Sequence, residues 1–129
     1  MLGIEVIAMG KILILTLAVV AGALTSIQSA MNTQLGKYIG GVSAALVSFI
    51  VGTLTLALIY GFSGEGGLKG LFRVTPLLWF GGVLGAIFVF SMIMFIPKIG
   101  VGSTMAGVIA GQLILAMVID HFGWLGLEK

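Results

Sequence analysis

Thr25 lies three and four residues before Gln28 and Ser29, and Asn32 three and four after Ser29 and Gln28, the spacing that puts side chains on one face of an α-helix. The residues before them, from Ile12 to Val20, are apolar apart from Thr16. An amide carried into hydrocarbon costs several kcal/mol unless it is hydrogen-bonded. This polar stripe must therefore face other helices or water, not lipid. Two readings stand. The stripe holds helices together, at roughly 0.6 kcal/mol per interhelical hydrogen bond, or it lines a path for a solute. Gln112 is the matching amide in the second half of the chain, eight residues before Asp120 and so pointing in roughly the same direction.

Other chemistry is sparse. No Asp, Glu, Lys, Arg or His falls in the middle of an apolar run, although intramembrane ionisable groups are the usual carriers of protons and counter-ions. Asp120, next to His121, comes nearest. Asp120 reads either as a headgroup-region residue that ends a helix or as a gate or proton-linked group, and His121 reads as an interfacial residue. One Asp and one His fall short of the three or four ligands a metal site needs. With no cysteine in the chain, thiol chemistry and disulfides are excluded. No nucleophile has an identifiable base partner, and no glycine-rich phosphate loop follows a strand. The expectation is a protein that is not an enzyme and uses neither cofactor nor metal. The basic residues are scattered singly, so nothing points to a nucleic-acid partner.

The elements that position these residues are set by charge-free length. Residues 12–36, 38–64, 74–97 and 99–119 carry no charge over 25, 27, 24 and 21 residues. A bilayer core about 30 Å thick is crossed by roughly 20 apolar helical residues. Of the 129 residues 60% are apolar and 8% charged, against about 25% charged in soluble domains. Lipid is the solvent these runs require. They do not alternate as barrel strands would, so the fold class is all-α integral membrane. Four transmembrane helices at about 11–36, 42–62, 76–96 and 100–120 form one domain over residues 1–129. The start of the first run, Lys11 followed by Ile12–Val20 and Ala21-Gly22-Ala23, imitates a signal peptide, but its apolar character continues past Met31.

Short links make successive helices antiparallel neighbours. Pro76 is expected to open the third helix, Pro97 to close it, and Gly100 and Gly102 to make the next turn. Gly64, Gly66, Gly67 and Gly70 mark the longest link as flexible. Tyr38, Tyr60, Trp79 and Trp124 fall near helix ends, where an interfacial aromatic belt belongs. Gly107 and Gly111, widened by Ala106 and Ala110, form a smooth strip on which another helix backbone can pack, either within the protein or at a dimer interface. Gly81 and Gly85, and Ser48 and Gly52, do the same on helices 3 and 2. An even helix count places Lys11, Lys69, Arg73 and Lys129 on one side and Lys37 and Lys98 on the other. The Lys/Arg bias that orients a helical membrane protein is weak here, so one sequence can insert both ways, as an antiparallel homodimer requires.

An ordered set of segments resembles a known family. They are Gln28-Ser29-Ala30-Met31-Asn32-Thr33-Gln34-Leu35-Gly36, Ala44 through Gly52, Trp79-Phe80-Gly81-Gly82-Val83-Leu84-Gly85-Ala86, Pro97-Lys98-Ile99-Gly100, Ala110-Gly111-Gln112 and Asp120-His121-Phe122-Gly123. Together they resemble the YdcZ-like family of small bacterial inner-membrane proteins, within the drug/metabolite transporter superfamily. The resemblance implies a fold related to the small multidrug resistance proteins, which work as antiparallel dimers of identical or paired subunits. Members of that family usually continue into a fifth helix after the Asp-x-Phe-Gly segment, where this sequence stops at Lys129, which reads either as a natural short form or as a truncated chain. Those transporters use a buried glutamate in helix 1. Here the matching face offers Gln28 and Asn32, which argues against proton-coupled cation export by that route.

The resulting expectation is a multi-pass protomer of the bacterial inner membrane, forming a homodimer or pairing with a homologous subunit. It would move a small neutral or amphipathic organic solute by alternating access, with Gln28, Ser29, Asn32 and Gln112 lining the path. Four helices fill their own centre, and two oppositely inserted copies reproduce the inverted repeat of many transporters. The competing expectation is a membrane scaffold or accessory subunit with no solvent-connected cavity.

Overall fold

The computed structural model describes residues 2–63 and 67–123, with side chains for 9–63, 67–68 and 70–123. The sequence readings at Gly64, Gly66, Trp124 and Lys129 lie outside the described residues, as does the side chain of Lys69. Four long helices account for most of the chain: α1 (Leu2–Ile39), α2 (Gly41–Ser63), α3 (Gly81–Ile99) and α4 (Val101–Phe122). Two 3₁₀ segments, Leu68–Arg73 and Pro76–Phe80, lead from α2 into α3. Four stretches are long and apolar enough to cross a membrane: Met9–Ile39, Gly41–Ser63, Pro76–Ile99 and Val101–Phe122.

The element ends differ from the expectation in instructive ways. Helix α1 begins at Leu2 instead of near residue 11 and has 38 residues, about 57 Å at 1.5 Å per residue. Lys11 interrupts the apolar run without interrupting the helix, because lysine is itself a good helix former. Pro97 does not close α3. Its missing N–H removes the bond to the Ile93 carbonyl, but the helix runs on to Ile99. Pro76 opens a 3₁₀ turn that merges into α3 at Gly81, and Gly102 lies within α4.

Two links are tighter than expected, with one residue each. Gly40 and Gly100 both have φ of 84°. Gly100 combines this with ψ of 161°, a region open essentially to glycine alone. The two turns are built alike. The Gly40 N–H donates to the Gly36 carbonyl and the Gly100 N–H to that of Ile96. Each glycine carbonyl then accepts from the next helix, at Ala44 N–H (3.0 Å) and Thr104 N–H (3.2 Å). The Thr104 hydroxyl also donates to the Gly100 carbonyl, at 2.6 Å.

With single-residue turns, α1–α2 and α3–α4 are antiparallel hairpins whose turns share one end of the bundle. Helices α1 and α3 pack against each other and each against both α2 and α4, while α2 and α4 do not meet. Every buried side chain sits in the half near the turns: Ser29, Asn32, Thr33, Ala44, Ala45, Met92, Ile93, Ile96 and Thr104. In the other half no described residue is buried, and only a few, Thr25, Ser26, Gly85, Val118, Ile119 and Gly123, are half-buried. The protomer converges at the turns and spreads at the opposite end.

The tightest approach is at Gly36. A β-carbon built there would lie 2.7 Å from Cγ2 of Ile93, and one on Gly41 would lie 3.3 Å from the Phe90 ring. Gly85 meets the Phe49 ring at 3.5 Å in the same sense. On Gly81, Gly107 and Gly111, expected to serve helix packing or a dimer interface, nothing lies within 4 Å of a β-carbon among the described residues. Gly81 lies in the spreading half, and Gly107 borders an open cavity of about 330 Å³ between α3 and α4, lined also by Met92, Phe95 and Thr104.

Candidate membrane-embedded groove

The polar stripe of α1 divides in two. Ser29 and Thr33 lie in the packed face, at 4% and 5% exposure, and the Thr33 hydroxyl donates to the Ser29 carbonyl at 2.8 Å. The same i−4 bond satisfies Thr16, Thr25, Thr55 and Ser91. Hydroxyls bonded to their own helix do not tie helices together. The side-chain amides behave differently. Neither Gln28 nor Asn32 has a hydrogen-bond partner among the described residues; Gln28 is exposed, and the buried Asn32 carries no fully enclosed polar atom.

Both amides line a groove of about 600 Å³ between α1 and α2. Its other walls are Leu24, Ile27, Met31, Leu35, Val47, Ser48, Val51 and Gly52. Gln28, Ser48 and Gly52 also line a smaller cavity of about 190 Å³, completed by Phe49, Thr53, Leu56 and Val89. The Gln28 amide thus stands between two cavities. It lies nine residues from Lys37, about 14 Å along the helix axis and close to the middle of a bilayer core about 30 Å thick. No charged side chain lines either cavity.

Of the residues expected to line a path, Gln28 and Asn32 come together in the groove, while Ser29 lies in the packed face beside it. Gln112 is exposed on α4 and lines none of the described cavities. Asp120 is exposed in the last turn of α4, whose end is capped by Gly123 in a left-handed conformation. His121 packs edge-on against Phe122, with ring centroids 4.9 Å apart. Sequence reasoning placed Ser48 with Gly52 in a packing strip, whereas here both line the groove. The signal was available: Ser48 and Gly52 are spaced i, i+4, and α2 must lie antiparallel to α1 after a single-residue turn.

These features define a class: a polytopic α-helical membrane protein with an uncharged, amide-bearing groove at mid-membrane depth. A family model described as "Putative inner membrane exporter, YdcZ" matches residues 13–129, and the chain belongs to that family. No curated protein and no solved structure matches the chain. The family is one of exporters, a class of transport proteins and not of enzymes, and it places the protein as a multi-pass protein of the inner membrane.

Proposed function

We propose that the protein is one protomer of a transporter that moves a small neutral or amphipathic organic solute, by alternating access at the interface of an antiparallel dimer. One observation carries this reading: the Gln28 and Asn32 amides line one groove, Gln28 close to the middle of the membrane, with no hydrogen-bond partner among the described residues. An amide left so in hydrocarbon is unfavourable by several kcal/mol, so water, a solute or a second copy must satisfy it. The mostly apolar walls suit the body of an amphiphile. The amides and the Ser48 hydroxyl suit its hydrogen-bonding end, and the absence of an acidic wall disfavours a cation.

The dimer reading has separate support. A compact protein of 13.3 kDa exposes roughly 6,500 Å², whereas this chain exposes 10335 Å². Surface in such excess fits a protomer completed by another. The weak difference in basic residues between the two sides suits insertion in both orientations.

A thermal-shift screen of uncharged metabolites on purified protein tests the proposal. Ligands that raise the unfolding temperature of the wild type are expected to lose that effect in Asn32→Leu and Gln28→Leu. Ligands that stabilise the variants as well as the wild type would remove the groove from the account.

A further inference from the structure

A second groove, away from the amides, runs between α2 and α3. It holds about 360 Å³ and is lined by Val42, Ala45, Leu46, Phe49, Ala86, Ile87 and Phe90. No side chain in this set offers a hydrogen bond, and no residue of α1 or α4 contributes. The groove therefore faces outward from the bundle, within the membrane span. It begins at Val42, the second residue of α2, and reaches Phe49 about 10 Å deeper. Its mouth is thus at the membrane surface on the turn side.

Charge on that side is of one sign. Among the described residues the acidic ones, Glu5 and Asp120, both lie toward the end opposite the turns. The turn side carries the basic residues Lys37 and Lys98 and no described acid. Lys98 is also well placed. Gly41 lies against Phe90 and Met94, and Lys98 is one helical turn beyond Met94 on the same face of α3, level with the membrane surface.

We propose that the α2–α3 groove holds an acyl chain of an anionic phospholipid whose headgroup is met by Lys98. The long apolar stem of a lysine lets its ammonium reach the headgroup layer from a helix end. A purely apolar slot opening beneath a cation, with no described acid on that side, matches a ligand that has a hydrocarbon tail and an anionic head. This site is separate from the amide groove and does not depend on the transport reading.

The test uses full-length protein in phosphatidylcholine vesicles. Trp79→Phe and Trp124→Phe remove the native indoles, and Phe90→Trp places a reporter in the groove. Quenching is then compared between brominated phosphatidylglycerol and brominated phosphatidylcholine. The expected result is a preference of about fivefold for the anionic lipid. Lys98→Gln should abolish it and Lys11→Gln, on the other side, should leave it intact. Ala86→Phe, which fills the groove, should weaken quenching by both lipids. Leu46→Phe serves the same purpose if circular dichroism shows lost helix in the Ala86 variant. Equal quenching by the two lipids would overturn the proposal. So would a preference lost equally in the Lys11 variant, which marks bulk electrostatics, or quenching by neither lipid, which marks a second copy seated on the groove.

Discussion

At the scale of single residues, side chains that look alike in the sequence do different things. Thr25, Gln28, Ser29 and Asn32 share one periodicity, but the Thr25 hydroxyl closes onto the Ala21 carbonyl of its own helix and the Ser29 carbonyl accepts from Thr33, while the amides find no partner among the described residues. A Ser or Thr hydroxyl can reach the carbonyl four residues back, and the two amides do not. The residues expected to glue helices therefore do not do so within the protomer. Asn32→Leu is expected to keep the fold and to weaken binding of a ligand from the metabolite screen by about tenfold or more, equivalent to one hydrogen bond of ~1.4 kcal/mol. Gln112→Leu is expected to stay within twofold of the wild type. Isothermal titration of both variants with the same ligand checks the contrast. The stripe at Gln28 and Asn32 was legible in the sequence. The separation of Gln112 from it was not, because helical spacing gives direction within a helix and says nothing of how far two helices diverge.

At the scale of elements, the closest contact is set by a glycine that no small-residue strip in the sequence singled out. The GxxxG of α4 drew attention through its spacing, yet Gly107 and Gly111 are open in the protomer. Gly36, seven residues beyond Ser29 and next to Lys37, carries the α1–α3 approach. Spacing shows that a smooth strip exists; which strip is used depends on helix angles set by the Gly40 and Gly100 turns. Gly36→Leu is therefore expected to force α1 and α3 apart at a cost of about 1–3 kcal/mol, read as a lower unfolding temperature in detergent. Gly111→Leu has room for its side chain and is expected to leave that temperature nearly unchanged while weakening the dimer, as a fainter crosslinked band in membranes. An unchanged band would take the α4 strip out of the association. Helix number and class were legible because charge-free length is a one-dimensional property. Helix ends were less so: Lys11 and Pro97 read as boundaries, and the helices pass through both.

At the scale of the whole molecule, the protomer is closed at the turns and open at the opposite end, with its uncharged groove at mid-depth. The proposed second copy would complete that shape, and under this proposal weak charge asymmetry lets the copy be inverted. The native chain has no cysteine, so Gly67→Cys, in an open position, reports orientation cleanly. An impermeant thiol reagent on intact cells should label about half the molecules; labelling of nearly all or nearly none would point to a fixed orientation with an oppositely inserted partner subunit, or to a parallel assembly. The central claim, that the Gln28–Asn32 groove communicates with water, is tested most directly by a single cysteine at Asn32. In membranes, a charged water-soluble thiol reagent should modify Asn32→Cys and leave Ala44→Cys, at a fully buried position of the packed core, untouched. An Asn32→Cys protein as inert as the Ala44→Cys control would contradict a solvent-connected groove and leave the protein a scaffold.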